Sequence, residues 1–100
     1  MDLEKLKDKL RSYSQEDIVF NEPHFSENLV AREGSRAEVI KNILNPDKLI
    51  GFSVALGKYG DLKYELYFRV NNFRTMILPV IFDKGGKNLY MLTYIMRYRI

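Results

Sequence analysis

The chain has no cysteine and a single histidine, His24, among its 100 residues. Without cysteine, neither a disulfide framework nor a thiolate metal site can form, and an oxidising compartment is not indicated. One histidine cannot form the histidine cluster of a metal site, and we expect no metal and no other cofactor. The sequence also lacks a paired-carboxylate motif and a glycine-rich phosphate loop, because its glycine-containing turns are followed by predicted strands rather than helices.

Long apolar segments are absent as well. The longest, residues 76–82, is far shorter than the roughly 20 residues that a membrane-spanning helix needs. The charged opening of the chain, residues 1–10, contains no apolar signal core. We therefore expect a cytoplasmic protein without a membrane partner. With 46% hydrophobic residues, a chain of this length is long enough for one compact domain and too short for two.

Charge is distributed unevenly along the chain. Residues 1–57 contain eight basic and ten acidic side chains, whereas residues 58–100 contain eight basic and three acidic ones. A basic half beside a mildly acidic one is the electrostatic pattern of a protein that binds nucleic acid or phosphate. The alternative is that these charges only keep a small domain in solution, since the net charge of the whole chain is +3.

Hydrophobic periodicity predicts helices in the first part of the chain. The predicted helices cover residues 2–13, 23–33 and 36–44. Asn21 can cap the second helix, which ends at Gly34. Ser35 and Glu38 form a capping box that opens the third. A short strand is a candidate at residues 18–20.

From residue 50 onward the pattern changes to strands with period two. If Asn71 and Asn72 form a type I′ turn and Gly85 and Gly86 form the next, residues 50–99 fold into an antiparallel meander of about four strands. Helices packed on one face of such a sheet define an α+β fold.

This pairing assigns the two faces of the sheet. It turns one set of residues toward the second and third helices: Leu62, Tyr64, Leu66, Phe68, Val70, Phe73, Thr75, Ile77, Pro79, Ile81, Tyr90, Leu92, Tyr94, Met96 and Tyr98. The other face then contains an apolar patch of Met76, Leu78, Val80, Met91 and Ile95. A patch this apolar is rarely left in water, so we expect the first helix, a second copy of the chain or another partner to cover it.

Three arginines, Arg69, Arg74 and Arg97, fall into one row across three neighbouring strands in this pairing. Like charges directly opposite one another destabilise a sheet by a few tenths to about 1 kcal/mol. The row therefore requires an anion or an acidic neighbour, and arginine gives planar, bidentate contact to phosphate. We predict a nucleic-acid-binding surface at these arginines, with Lys63 and Arg99 adding positive charge. The alternative is that they pair with carboxylates of the chain.

Two segments resemble a known family. Residues 18–46, with a strand, His24, a helix, Arg-Glu-Gly, a second helix and Asn-Pro, are similar to the opening of small domains related to the RelE and BrnT toxins. Residues 89–97 are similar to the last strand of those domains. The resemblance covers about residues 17–99, so that residues 1–14 form an N-terminal helical extension of a single domain.

The resemblance implies a RelE-like fold and a metal-independent RNA endonuclease of a toxin–antitoxin pair, which a cognate antitoxin holds inactive. It implies Arg69, Arg74 and Arg97 as catalytic residues, and His24 is a further candidate as a general acid. An imidazole at a helix start more often satisfies a local backbone group. The chain also departs from the family at residues 32–36, where Arg-Glu-Gly-Ser-Arg stands in place of Arg-Gly-Ile.

Three functions are consistent with these observations. The first is a RelE/BrnT-like ribonuclease. The second is a nucleic-acid-binding module without catalysis, which the shortage of acid and base groups favours. The third is a structural protein that docks on itself or on a partner through its apolar outer sheet face.

Overall fold

The computed structural model describes residues 2–98, and within them it contains three helices and a six-stranded mixed sheet. The helices are α1 (Leu3–Arg11), α2 (His24–Ala31) and α3 (Arg36–Leu44), with a short 3₁₀ turn at Gln15–Asp17. The strands are β1 (Ile18–Phe20), β2 (Leu49–Leu56), β3 (Leu62–Asn71), β4 (Arg74–Ile81), β5 (Leu89–Met91) and β6 (Ile95–Tyr98). The α+β class and the three predicted helices are confirmed. No helix in this part of the chain is long and apolar enough to cross a membrane.

Local signals explain where α1 and α3 begin. The side chain of Asp2 accepts a hydrogen bond from the Lys5 N–H at 2.8 Å, and Ser35 accepts one from the Glu38 N–H at 3.3 Å. Each bond satisfies a backbone donor that the first turn of a helix leaves free. Of the predicted capping box, the bond to the Ser35 side chain is therefore present.

The cap predicted at Asn21 is not, since α2 begins at His24 without a side-chain cap. The Asn21 amide group donates instead to the Leu92 carbonyl at 3.2 Å and accepts from the Tyr90 hydroxyl at 2.9 Å. The side chain thus connects the end of β1 to β5 and the residue that follows it. The local sequence predicts a helix cap at Asn21, but its side chain bonds to a distant part of the chain instead.

The sheet has the order β1-β5-β4-β3-β2, and β6 pairs with β4 beyond the end of β5. Strand β1 runs parallel to β5, with Ile18 opposite Leu89, and the other pairs are antiparallel. The prediction of a four-stranded meander is therefore incomplete. Strand β1, which is distant in sequence, is added at one edge of the sheet, and the last predicted strand is divided into β5 and β6.

The β3–β4 connection differs from the predicted type I′ turn. Neither Asn71 nor Asn72 has a positive φ. The side-chain oxygen of Asn71 accepts from the Phe73 N–H at 2.8 Å, which makes an Asx turn. The register shifts by one residue, so that Val70 is a bulge.

This one-residue shift reverses the facing of β4 and β5, because side chains alternate between the two faces of a strand. Met76, Leu78, Val80, Leu89 and Met91 are fully buried in one core with residues of all three helices. The face predicted for β4 and β5 is therefore wrong. A second shift in the break at residues 92–94 restores the predicted facing of Tyr94 and Met96, and both are buried.

All three helices pack on the same side of the sheet, which we call the closed face. Leu6 and Leu10 of α1 belong to its core, where α1 packs against α3 and β2. The predicted separate outer face under α1 is therefore wrong, because Met76, Leu78, Val80 and Met91 share one core with all three helices. The side without helices, which we call the open face, contains Tyr67 and Arg69 of β3. Its other members on β4 to β6 are Thr75, Ile77, Pro79, Ile81, Tyr90, Leu92, Ile95 and Arg97.

Pro79 lies inside β4 without disrupting the sheet. Its carbonyl accepts from the Leu92 N–H at 2.9 Å, so its backbone faces the β5–β6 side of the strand. The missing N–H of proline therefore falls beside the break at residues 92–94, which lies outside both strands.

Candidate nucleic-acid interface

The open face contains a cleft of about 320 Å³ where β3, β4 and β6 lie side by side. It is lined by Glu65, Tyr67, Arg69, Thr75, Ile77, Arg97 and Tyr98. These residues come from three separate strands, so the register of the sheet decides which of them meet.

Arg69, Thr75 and Arg97 form one row across the cleft. Thr75 lies opposite Arg69 on one side and opposite Arg97 on the other. Because neighbouring strands are about 4.8 Å apart, the backbones at the two arginines are separated by about 10 Å. The two guanidinium groups can therefore flank one extended ligand without the directly opposed charges that the sequence predicted.

Both arginines are exposed, and neither takes part in the ion pairs found within residues 2–98. Glu65 lines the same cleft, two positions before Tyr67 on β3, and likewise forms no ion pair in that part of the chain. The row thus presents two cations that no carboxylate of the described chain neutralises.

The remaining residues of the cleft give it an aromatic and apolar surface. The Tyr67 hydroxyl and the Ser53 hydroxyl on β2 are 3.0 Å apart and share a hydrogen bond, which holds the tyrosine against the sheet. Ile77 is buried between its strand neighbours and forms an apolar floor. Tyr98 is exposed at the rim. A planar ring beside two arginines suits a ligand that has both an aromatic and an anionic part.

Arg74 is not part of the row, and the predicted line of three arginines is wrong. The bulge at Val70 places Arg74 opposite Asn71 and Tyr98 instead. Its Nε atom is buried and has no hydrogen-bond partner among residues 2–98, and its guanidinium group lies 6.0 Å from the centre of the Tyr98 ring. Arg74 is therefore a packed residue near the edge of the closed face.

A second buried polar group lies close to Arg74. Tyr94 is fully buried on the closed face, and its hydroxyl has no hydrogen-bond partner in the described chain. Burial raises the pKa of Tyr94, the negative charge of Glu38 adds to the increase, and the positive charge of Arg74 opposes it. The ring is held by packing, with Phe25 in edge-to-face contact at 6.3 Å between ring centres.

The structure separates His24 from the arginines of the cleft. His24 is exposed at the first turn of α2, in the helix layer, and its ring lies 3.3 Å from the Asn28 side-chain nitrogen. The next residue, Phe25, is buried in the closed-face core, on the opposite side of the sheet from Arg69 and Arg97. His24 is therefore not placed to act as a general acid at the cleft.

The two other predicted basic residues differ in position. Lys63 belongs to the open-face side of β3 and lines a neighbouring cleft with Ile81 and Leu92. Arg99 lies outside the described residues. Sequence reasoning missed Thr75, because it took Asn71–Asn72 as a type I′ turn although such turns favour glycine at the second position.

The chemistry of the cleft is that of arginine, tyrosine, threonine and one carboxylate. Residues 2–98 bring together no group of three or more histidine, aspartate or glutamate side chains that could hold a metal ion. Comparison with protein-family models, with curated proteins and with solved structures finds no match for this chain. Any functional assignment must therefore come from the geometry of the cleft.

Proposed function

We propose that this protein binds single-stranded RNA across its open face. The observation that carries the proposal is the pair of exposed arginines, Arg69 and Arg97, which flank Thr75 in one cleft and have no carboxylate partner within residues 2–98. Guanidinium groups bind phosphate oxygens in a planar, bidentate geometry, and their charge persists at neutral pH.

A single strand suits this cleft better than a duplex does. The aromatic surface of Tyr67 can stack on an unpaired base, whereas the bases of a duplex are stacked on one another. Glu65 and Thr75 supply acceptors for the ribose 2′-hydroxyl group, by which a protein distinguishes RNA from DNA. The basic excess of residues 58–100 adds long-range attraction for a polyanion.

The proposal is tested by fluorescence anisotropy of a labelled single-stranded RNA over a range of salt concentrations. Arg69→Ala and Arg97→Ala should each weaken binding and lower the slope of log affinity against log salt by about 0.7 for each lost phosphate contact. Arg32→Ala is the matched control, because Arg32 is an exposed arginine at the end of α2. Equal affinity for all four proteins, or an equal loss with Arg32→Ala, would contradict RNA binding at the cleft.

A second candidate is metal-independent cleavage of RNA, the activity that the RelE/BrnT resemblance implies together with an antitoxin partner. The observation that favours it is Glu65, a carboxylate in the same cleft as the two arginines. It could accept the proton of a 2′-hydroxyl that attacks the adjacent phosphorus, while the arginines stabilise the negative charge that develops there. The 5′-oxygen of the next nucleotide would leave and take a proton from water.

Glu65→Gln separates the two candidates. For an enzyme, the variant should bind labelled RNA as the wild type does but produce no 2′,3′-cyclic phosphate end, in buffer that contains a metal chelator. If the wild-type protein leaves the RNA intact under these conditions, binding without catalysis is the function that remains.

A further inference from the structure

Strand β2 has the composition of an interior strand but lies at the edge of the sheet. Its eight residues, Leu49–Leu56, include no charged side chain, in a chain of which 29% is charged. Strand β4 is as apolar over residues 75–81, and it is paired on both sides. Edge strands normally have charged residues or proline, which prevent pairing with another chain. The composition of β2 therefore indicates a strand that is paired on both sides in its functional state.

The backbone of β2 offers a regular set of free hydrogen-bonding groups. Gly57 N–H donates to the Asp61 carbonyl at 2.6 Å, which fixes the alternation of the antiparallel ladder with β3. The groups that face β3 belong to Gly51, Ser53 and Ala55. Those of Phe52, Val54 and Leu56 point away from β3, and no strand within residues 2–98 pairs with them.

Exposed apolar side chains concentrate at the same edge. Nine large hydrophobic residues are exposed within the described chain, and five of them lie on β2 or on the hairpin that follows: Ile50, Val54, Leu56, Tyr59 and Leu62. Val54 is 47% exposed and Leu56 is 74% exposed. An apolar strip along free backbone groups favours an extended protein chain as its ligand.

We propose that two copies of this chain pair through β2, antiparallel, with the two-fold axis at Val54. This register places Phe52 opposite Leu56 of the second copy and Val54 opposite Val54 of the second copy. Each of these pairs exchanges both backbone hydrogen bonds, because all three residues point their N–H and C=O groups to the edge. The register puts no charged side chains opposite one another within β2, and small residues, Gly51, Ser53 and Ala55, alternate with the large ones.

The occupant is a second copy because the strip is complementary to itself. In the two-fold register, the β2–β3 turn of one copy lies beyond Phe52 of the second copy. Tyr59 of the first copy then approaches the exposed Ile50 of the second. The turn thus enlarges the contact beyond the strand, toward the roughly 800 Å² per partner of a stable interface. The axis is perpendicular to the joined sheet, so both open faces lie on one side of it. The dimer does not rest on RNA binding.

The size of the protein in solution tests the dimer. Light scattering on a gel-filtration column, at several concentrations, should give twice the 11.8 kDa of one chain. Val54→Lys puts two positive charges opposite one another and should raise the dimer dissociation constant at least about tenfold. Val30→Lys, at an exposed valine of α2, is the matched control and should leave the dimer intact. Mixing Val54→Lys with Val54→Glu should restore a dimer.

A cysteine variant tests the register independently of any loss of fold. The chain has no native cysteine, so Val54→Cys introduces the only thiol. Opposed residues of a hydrogen-bonded antiparallel pair have Cα atoms about 5.5 Å apart, within the range that a disulfide spans. Oxidation should link Val54→Cys into a covalent dimer and leave most of Val30→Cys without a covalent link, which denaturing electrophoresis without reductant distinguishes. A wild-type protein that is monomeric at every concentration would overturn the proposal. So would growth to indefinite size, or an equal response of both positions to lysine or to cysteine.

Discussion

The two faces of the sheet use the same strands for opposite purposes. On the closed face, Leu66, Phe68 and Met76 are fully buried against the helices. On the open face, Arg69 and Arg97 are exposed beside a cleft. Side chains of the closed face are held by contacts on all sides, so a change there leaves a cavity or a clash. The exposed side chains of the open face, such as Arg69 and Arg97, can be replaced at little cost in stability, which leaves them free for binding.

Adjacent residues of β3 give the largest expected contrast between the faces. Phe68→Ala on the closed face should lower the free energy of unfolding by about 3–5 kcal/mol, because it removes a fully buried ring. Arg69→Ala on the open face should change it by less than about 0.5 kcal/mol. Urea denaturation followed by circular dichroism measures both. If the arginine variant loses as much stability as the phenylalanine variant, the open face also holds the fold together.

Two glycines, one packed on the closed-face side and one on β2, allow the same comparison of crowded and open surroundings. A Cβ atom at Gly34 would lie 2.6 Å from Leu29 Cδ1 and 2.7 Å from Tyr94 Cζ on the closed-face side. Gly34→Ala should therefore destabilise the fold by about 1–3 kcal/mol. Gly51→Ala is the control on β2, where the nearest atom, Tyr67 Cδ2, is 3.9 Å away. Thermal melting should show a clear loss for Gly34→Ala and none for Gly51→Ala. Equal melting temperatures would mean that the contact at Gly34 relaxes.

How much of this arrangement was predictable depends on whether the deciding signal is local. The start of α3 was predicted correctly because Ser35 and Glu38 are three residues apart and meet within one turn. The pairing of Ile18 with Leu89 was not predicted, because no signal within either segment indicates a partner 71 residues away. Propensity describes short segments, whereas parallel strand pairing depends on the whole chain.

Two of the three arginines predicted to share a row do so, and the register of the strands explains why. The shifts at Val70 and at residues 92–94 both displace β4 by one residue relative to its neighbours. Strands β3 and β6 therefore keep the predicted relation to each other, so Arg69 and Arg97 share a row. Only the residue between them changes, from Arg74 to Thr75. The Asx turn at Asn71 accompanies the first of these two shifts, and hydrophobic periodicity contains no information about either.

Tyr94 makes the stability of the fold depend on pH in the alkaline range. Its pKa is raised by burial, so the folded protein retains the phenolic proton at a pH where the unfolded chain, with a tyrosine pKa of about 10, has lost it. The contribution of Tyr94 to the free energy of unfolding is therefore complete below about pH 10 and decreases as the pH rises above that value.

Tyr94→Phe should reduce this alkaline loss. At neutral pH its stability should stay within about 1 kcal/mol of the wild type, because the missing hydroxyl has no hydrogen-bond partner in the described chain. Urea midpoints at pH 8 and pH 11 measure the difference, and Tyr59→Phe, at an exposed tyrosine, is the control. A large loss at pH 8 would show that the hydroxyl group is bonded in solution.

The smallest expected effect concerns a residue that lies on neither face. Helix α2 ends in a Schellman motif, in which Gly34 N–H donates to the Leu29 carbonyl and Glu33 N–H donates to the Val30 carbonyl. The left-handed position of this motif is occupied by Glu33, with φ of 54°, and not by the neighbouring glycine. Glu33→Gly should therefore stabilise the fold by about 0.5–1 kcal/mol, since glycine adopts this conformation without steric cost.

Asp83→Gly is the control that separates backbone strain from side-chain bonding. Asp83 has the same φ of 54°, but its carboxylate accepts from the Lys9 ammonium at 2.6 Å and from the Tyr13 hydroxyl at 2.8 Å. Removing that carboxylate leaves the partly buried Tyr13 hydroxyl without its acceptor, so this variant should gain nothing or lose stability. No gain at Glu33 in urea denaturation would show that backbone strain does not limit the stability of this turn. A gain at Asp83 would show that relief of strain there outweighs the loss of both side-chain bonds.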